Sequence, residues 1–314
     1  MIRSNSHSNE TAVLGLDIGG TKIAAGVVLF PSGEVRYRRV IATRPNRSGE
    51  EVLEDVYSLA LELKDTAANS GNGIAGIGAG VAELVDTNGN VTSSQTIQWN
   101  GMPVQGALSK IAPTTVESDV RAAAIGEALM GAAKGSRCVV YVTVGTGISS
   151  CLVQDGVPYA GANGNAIVMA TAPLSFFCAH CGSYSSMVLE EFASGPALAR
   201  RYSEQSGKKV NAGEEVTESA EQGDGWAIEV VQSAGRALGV SVAFLANVLD
   251  PEIIVVGGGL GLDGRLYWQA MIESVRNHIW ADAGKCVPIV PAKLGKDAGL
   301  IGAAAAFWNK HKRK

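Results

Sequence analysis

Asp17 stands inside an otherwise apolar run, Ala12-Val-Leu-Gly-Leu-Asp-Ile18, and is followed by Gly19-Gly20-Thr21-Lys22. A carboxylate in a buried strand is costly unless something compensates it, and a cation is the natural compensation. Two glycines can take positive φ and bring bare N–H groups close to a ligand. Thr21 adds a hydroxyl and Lys22 an ammonium. This set suits a magnesium-bound triphosphate, with Asp17 holding Mg2+ through water and Gly19, Gly20, Thr21 and Lys22 around the phosphates. An ordinary hairpin would need a glycine turn but neither Asp17 nor Lys22.

Two further glycine turns follow. Gly145-Thr146-Gly147 can wrap a phosphate with N–H groups and one hydroxyl, or serve as a plain hairpin turn. Gly257-Gly258-Gly259 ends the apolar run Ile253–Val256 and would let a flat ring approach the backbone. By contrast, Gly71–Gly76 spells G-x-G-x-x-G but leads into a strand instead of opening a helix, so it lacks dinucleotide-binding geometry. Asp119 sits at a strand-to-helix junction, where ordinary N-capping accounts for an aspartate. Cys178-Ala-His180-Cys181 packs three possible metal ligands into four positions.

The elements that must position these residues read as alternating strands and helices. Ala12–Leu29 is a strand, a turn and a second strand, and Val35–Ile41 is a third. Val52, Leu53, Val56, Leu59, Ala60 and Leu63 recur at helical spacing. Ile74–Gly80 is a strand, and residues 114–135 read as a strand and an alanine-rich helix. A strand hairpin spans 137–153, helices are expected over Met187–Tyr202 and Trp226–Leu249, and the chain closes on a helix from Ala298. Two α/β segments sharing one plan are the expected organisation. Residues 12–119 plus 298–314 form the first, residues 120–297 the second, and residues 1–11 a disordered tail.

A chain of 314 residues exceeds the usual single core, which agrees with two domains. Its net charge of −4 argues against a nucleic-acid partner, because phosphate backbones need a basic face. No apolar stretch reads as a membrane span and no signal peptide precedes the first strand, so a cytoplasmic, reduced protein is expected. Five cysteines form no regular framework.

The motifs "LGLDIGGTK", "ESDVRAAAIGEA", "VTVGTGI", "GANGNA", "LEEFASG", "DPEIIVVGGGL" and "AGLIGAAAA" resemble, in this order, those of the ROK family (repressors, open reading frames and sugar kinases). The resemblance runs from Val13 to Ala306. It implies an actin-like, ribonuclease-H-like ATPase fold of two α/β domains around a central cleft, with ATP and Mg2+ as cofactors. It implies that Asp119 is the general base that takes the proton of an acceptor hydroxyl. Glu190, Ser118, Glu83, Asn163 and Gly164 become the acceptor-side residues, and a homodimer or homotetramer is expected. Family regulators carry a DNA-binding domain ahead of the first strand, where only about a dozen residues stand here. The kinase branch is the better match.

Several positions depart from the family pattern. Ser118 replaces an asparagine, and Ala82-Glu83 replaces Pro-Gly; Glu83 is either a substitute carboxylate for the acceptor or a solvated loop residue. Arg121 replaces an asparagine and is either a helix-surface charge or the partner of an anion or carbonyl. The family pattern G-A-x-G-x-A-G-E-I-G-H places a glutamate at Val168 and a zinc-binding histidine at Thr171, and the last zinc cysteine at Val188. Cys178, His180 and Cys181 are then too few for a closed tetrahedral site, and no zinc site is expected. An ATP-dependent kinase of a sugar or sugar-like polyol other than glucose, such as a cyclitol or modified amino sugar, is the leading expectation. A catalytically silent sugar-binding protein is the alternative.

Overall fold

The computed structural model of the protein describes residues 10–44, 47–71, 73–177, 182–263 and 265–312. They form two compact units. The first comprises residues up to Met130, Ala160–Asn165 and the chain from Leu294 onward; the second comprises Gly131–Tyr159 and Ala166–Lys293.

In the first unit the strands are β1 (Thr11–Ile18), β2 (Lys22–Phe30), β3 (Glu34–Ala42), β4 (Ile74–Val81) and β5 (Thr114–Ser118). Helix α1 (Gly49–Asn69) precedes β4, α2 (Val104–Leu108) precedes β5, and α3 (Asp119–Leu129) follows it. The sheet order is β3-β2-β1-β4-β5. β1, β2 and β3 pair antiparallel, while β4 and β5 run parallel to β1. Strand β2 is apolar and buried beyond its first residue, whereas β3 carries three arginines, buries no residue and forms the edge. Ser48 and Glu51 close a capping box at the start of α1, whose Val52, Val56, Leu59, Ala60 and Leu63 are buried.

The boundary between units falls after α3, not at Asp119 as expected. The small-residue face of α3 explains this: a Cβ at Gly126 would meet the Gly302 Cα of the C-terminal helix (Ala298–Lys312) at 3.0 Å. Such close backbone contact binds α3 to the first unit. Strand β1 begins at Thr11, paired with Phe30, so Thr11 is not part of a disordered tail as expected; residues 1–9 lie outside the described residues.

The second unit repeats the plan. Its main sheet holds β6 (Cys138–Val144), β7 (Ile148–Gln154), β8 (Val157–Pro158), β11 (Ile253–Gly257) and β12 (Ile289–Pro291), in the order β12-β11-β6-β7-β8. Read from β8, this is the order of the first sheet, with the same antiparallel and parallel pairings. A separate hairpin joins β9 (Pro173–Phe177) and β10 (Tyr184–Val188). Helices α4 (Leu189–Ala193), α5 (Gly195–Ser206), α6 (Gly213–Glu221) and α7 (Gly225–Leu249) precede β11. Helices α8 (Gly259–Asp263) and α9 (Arg265–His278) follow it.

Helix α7 is long and apolar enough by composition to cross a membrane. Here it is a core helix, with Val230, Val231, Leu238 and Val242 fully buried in the cluster that also holds Tyr267, Met271 and Val275 of α9. The expected helix over Met187–Tyr202 begins later, because Met187 and Val188 pair with Leu174 and Pro173 as strand β10. Cys178, His180 and Cys181 lie outside the described residues, and so does the expectation that they hold no zinc.

Candidate functional site

Strands β1, β4 and β5 are parallel and end together. Asp17 is in register with Gly80 of β4, which is in register with Glu117 of β5. Asp17 and Asp119 therefore stand at the same sheet edge, two strand spacings or roughly 10 Å apart. The Asp17 carboxylate makes no hydrogen bond among the described residues. It lies against Gly299 in the first turn of the C-terminal helix, where a Cβ would come within 2.5 Å of the Asp17 Cγ. Burial raises its pKa and the Lys22 ammonium lowers it. An unpartnered, half-buried carboxylate with one nearby ammonium fits an oxygen-ligating cation.

The turn after β1 is closed by the Gly19 N–H donating to the Lys22 carbonyl at 3.0 Å. Thr43 braces it from β3's end: its N–H donates to the Thr21 carbonyl at 3.0 Å and its hydroxyl to the Gly19 carbonyl at 2.6 Å. Among the described residues, the Gly20 and Thr21 N–H groups have no partner, and Thr21 and Lys22 are exposed. Neither Gly19 nor Gly20 has positive φ, contrary to expectation. What the turn requires is space, because a Cβ on Gly20 would collide with the Thr96 Cγ2.

Asp119 is the first residue of α3, after an N-cap position held by Ser118. The Ser118 side chain caps nothing, and Asp119 Oδ1 accepts only the Val120 N–H at 2.7 Å. Crowding by protein lifts its carboxyl to about 6, the Val120 bond opposes this, and the negative charges of Asp17 and Glu83 add to it. The side chain is nevertheless exposed, so water moderates that rise. The arrangement leaves a carboxylate with an uncommitted oxygen and a proton affinity suited to taking a hydroxyl proton near neutral pH.

Glu83 does not serve as a ligand-facing carboxylate. It is 6% exposed and both oxygens are spent on the 93–97 loop. Oε2 accepts from the Ser93 hydroxyl and the Gln95 N–H, and Oε1 from the Thr96 and Ile97 N–H groups. Arg121 is buried and not a surface charge. It pairs with Glu117 and donates to the Gly164 and Val85 carbonyls at 2.5 and 2.6 Å. Gly164 thus serves as a backbone anchor at φ 81°, pressed against Val85, while Asn163 is exposed.

In the second unit, the β6–β7 hairpin is the topological counterpart of the β1–β2 hairpin. Gly145 N–H donates to the Gly147 carbonyl at 2.9 Å, and the Thr146 and Gly147 N–H groups have no partner among the described residues. Glu190 is the second residue of α4. Its Oε2 accepts the Ile148 N–H at 2.7 Å and would lie 2.8 Å from a Cβ on Gly147. Its other oxygen makes no hydrogen bond among the described residues.

A cavity of about 260 Å³ opens beside this turn, lined by Gly145, Thr146, Gly195, Pro196, Asn211–Glu214, Thr217, Gly259 and Leu260. Of the third glycine cluster only Gly259 lines it. Gly257 packs on Tyr141, and Gly258, at φ 84°, packs on the Val144 backbone. The wall built by α5 and the start of α6 went unread in the sequence. Its only signals are the Gly195-Pro196 break and Asn211-Ala-Gly213 ahead of a short helix.

Two α/β units of one topology, each with a glycine hairpin offering free amides, define an actin-like ATPase architecture. Residues 13–310 match the ROK family, and the chain belongs to that family. It is 31% identical over 317 residues to a glucokinase of Streptomyces coelicolor, covering 93% of this chain and 96% of that one. Among solved structures, the ROK hexokinase from Thermus thermophilus superposes with a TM-score of 0.82 at 31% identity, covering 97% of this chain and all of that one. A ROK family glucokinase from Streptomyces griseus, in complex with glucose and AMPPNP, gives a TM-score of 0.77 at 28% identity, covering 94% and 98%.

Proposed function

We propose that this chain is an ATP-dependent kinase that transfers a phosphoryl group to a hydroxyl of a sugar or sugar-like polyol. The observation that carries this reading is the shared sheet edge of Asp17 and Asp119, with the free amides of Gly20 and Thr21 beside Asp17. The glucokinase relatives support the same class of chemistry.

In this reading Asp119 accepts the proton of the acceptor hydroxyl as the oxygen attacks phosphorus, using the carboxylate oxygen that Val120 leaves free. Crowding by protein, with a smaller contribution from the charges of Asp17 and Glu83, raises the proton affinity of the carboxylate toward the task. Asp17 would hold Mg2+ through water, and the ion would neutralise charge on the phosphates. In the first unit Gly20, Thr21 and Lys22 offer N–H, hydroxyl and ammonium donors suited to phosphate oxygens; the second unit offers N–H groups of the same kind at Thr146 and Gly147. The cavity at Gly145, Gly195–Pro196, Asn211–Glu214 and Gly259 has the volume and backbone-rich lining to take a nucleoside.

The acceptor differs from glucose in this proposal. Val168 is 44% exposed and offers an apolar wall where the family pattern has a glutamate. Ile167 before it is held at φ 57°, a strained conformation for a β-branched residue. A wall without a carboxylate favours an acceptor with less hydroxyl, or more apolar bulk, on that side. A cyclitol or modified amino sugar fits this description. The protein is further proposed to act as a homo-oligomer in the cytoplasm.

Coupled ADP release over a panel of hexoses, amino sugars and cyclitols tests the reading. Turnover with a non-glucose member, at a kcat/KM well above that for glucose, is the expected outcome. Tight sugar binding with no ADP release from any member would instead identify a silent binding protein.

A further inference from the structure

Glu83 is buried and its carboxylate accepts four hydrogen bonds. Burying a charge is costly unless donors surround it, and four do so here, all from residues 93–97. The Ser93 hydroxyl also accepts the Leu84 N–H at 2.8 Å, tying the loop to the chain beside Glu83. The loop so fixed carries Thr96, whose methyl group occupies the space beside Gly20 that a Cβ would need. Thr96 itself is otherwise exposed.

We infer that Glu83 is a positioning residue: it fixes the 93–97 loop so that Thr96 holds the Gly19–Lys22 turn in shape. The turn's own bonds are few, namely Gly19 to Lys22 and the two from Thr43. An external brace therefore matters to its two free amides. The consequence for catalysis rests on the kinase reading, but the mechanical link does not.

The test uses the full chain and its Glu83→Gln variant. An amide keeps the shape but turns an NH2 group toward at least one of the four donors. Amide hydrogen exchange should quicken about tenfold or more at Gln95, Thr96 and Ile97, and also at Gly19 and Thr43, with the sheet core unchanged. The KM for MgATP should rise about tenfold while kcat changes less, a split that simple loss of folded protein would not produce. Thr96→Ala serves as the second variant, since it removes the methyl group beside Gly20 and leaves Glu83 and its four donors in place. It should quicken Gly19 and Thr43 exchange and leave Gln95 and Ile97 slow. Unchanged exchange at Gly19 and Thr43 in both variants overturns the inference. If the wild-type chain phosphorylates no acceptor, the kinase reading fails, and the exchange comparison still decides the link between loop and turn.

Discussion

Replacing Asp119 with asparagine separates its chemical role from its structural one. The residue caps no helix with its side chain, is exposed, and makes one hydrogen bond, from the Val120 N–H. Asparagine Oδ1 can accept the same bond, so the fold should survive. As general base, a positioned carboxylate contributes roughly 10²–10⁴ in rate, equal to about 3–5 kcal/mol of barrier at 1.36 kcal/mol per decade. The sign of the stability change is also fixed. The folded-state carboxyl titrates above its ordinary value, at about 6, so the folded chain holds that proton more tightly than the unfolded one. Ionising Asp119 therefore weakens folding as pH rises from the unfolded value toward 6. Solvent keeps that penalty small at an exposed group. Asp119→Asn at pH 7 should leave Tm unchanged or slightly higher while kcat drops at least a hundredfold. In the wild type, kcat/KM should fall about tenfold per pH unit below 6, and this acid limb should be absent from the residual activity of the variant. The assays are thermal melting and coupled ADP release from pH 5 to 8. A variant that keeps kcat within tenfold of wild type would refute the base assignment.

Three further outcomes are expected. Arg121→Ala removes the charge partner of Glu117 and the donor to the Val85 and Gly164 carbonyls; chemical denaturation should register a loss of about 3–5 kcal/mol, with Arg121→Lys recovering only part. Gly299→Ala drives a Cβ to within 2.5 Å of the Asp17 Cγ. Titrating turnover with Mg2+ should then require several-fold more metal, whereas an unchanged requirement would remove Asp17 from the metal role. Val168→Glu restores a carboxylate to an exposed wall, and kcat/KM should move at least tenfold toward hydroxyl-rich hexoses in a competition between acceptors.

Much of the framework was legible in the sequence because it rests on periodicity and punctuation. The β1–β2 and β6–β7 hairpins, α1, α7 and β11 lie where apolar runs and glycine turns placed them. The β10 strand did not: Ser186-Met187-Val188 has no strand period of its own and is fixed by pairing with β9. Asp17 was legible because it interrupts an apolar run, whereas the residues alone left Asp119 as an ordinary N-cap and only the family resemblance pointed to a base there. The role of Glu83 was not, since the four donors come from residues 10–14 positions away and only the fold brings them together. For the same reason Arg121 could be read as a surface charge, although it crosses to carbonyls at 85 and 164. The Gly19–Gly20 turn was read through φ, but what demands glycine at position 20 is a neighbour 76 residues away. The nucleoside-sized cavity was largely hidden because backbone, not distinctive side chains, builds its wall.

The central claim is that this chain moves a phosphoryl group onto an alcohol, with Asp17 and Asp119 serving one reaction. The most direct measurement is ³¹P NMR of the wild-type protein incubated with ATP, Mg2+ and each acceptor of the panel. The predicted result is a new phosphomonoester resonance growing in step with ADP for at least one non-glucose acceptor, and absent with Asp119→Asn. Acceptor binding by calorimetry with no phosphomonoester from any acceptor, or an equal product signal from the Asp119→Asn variant, would contradict it.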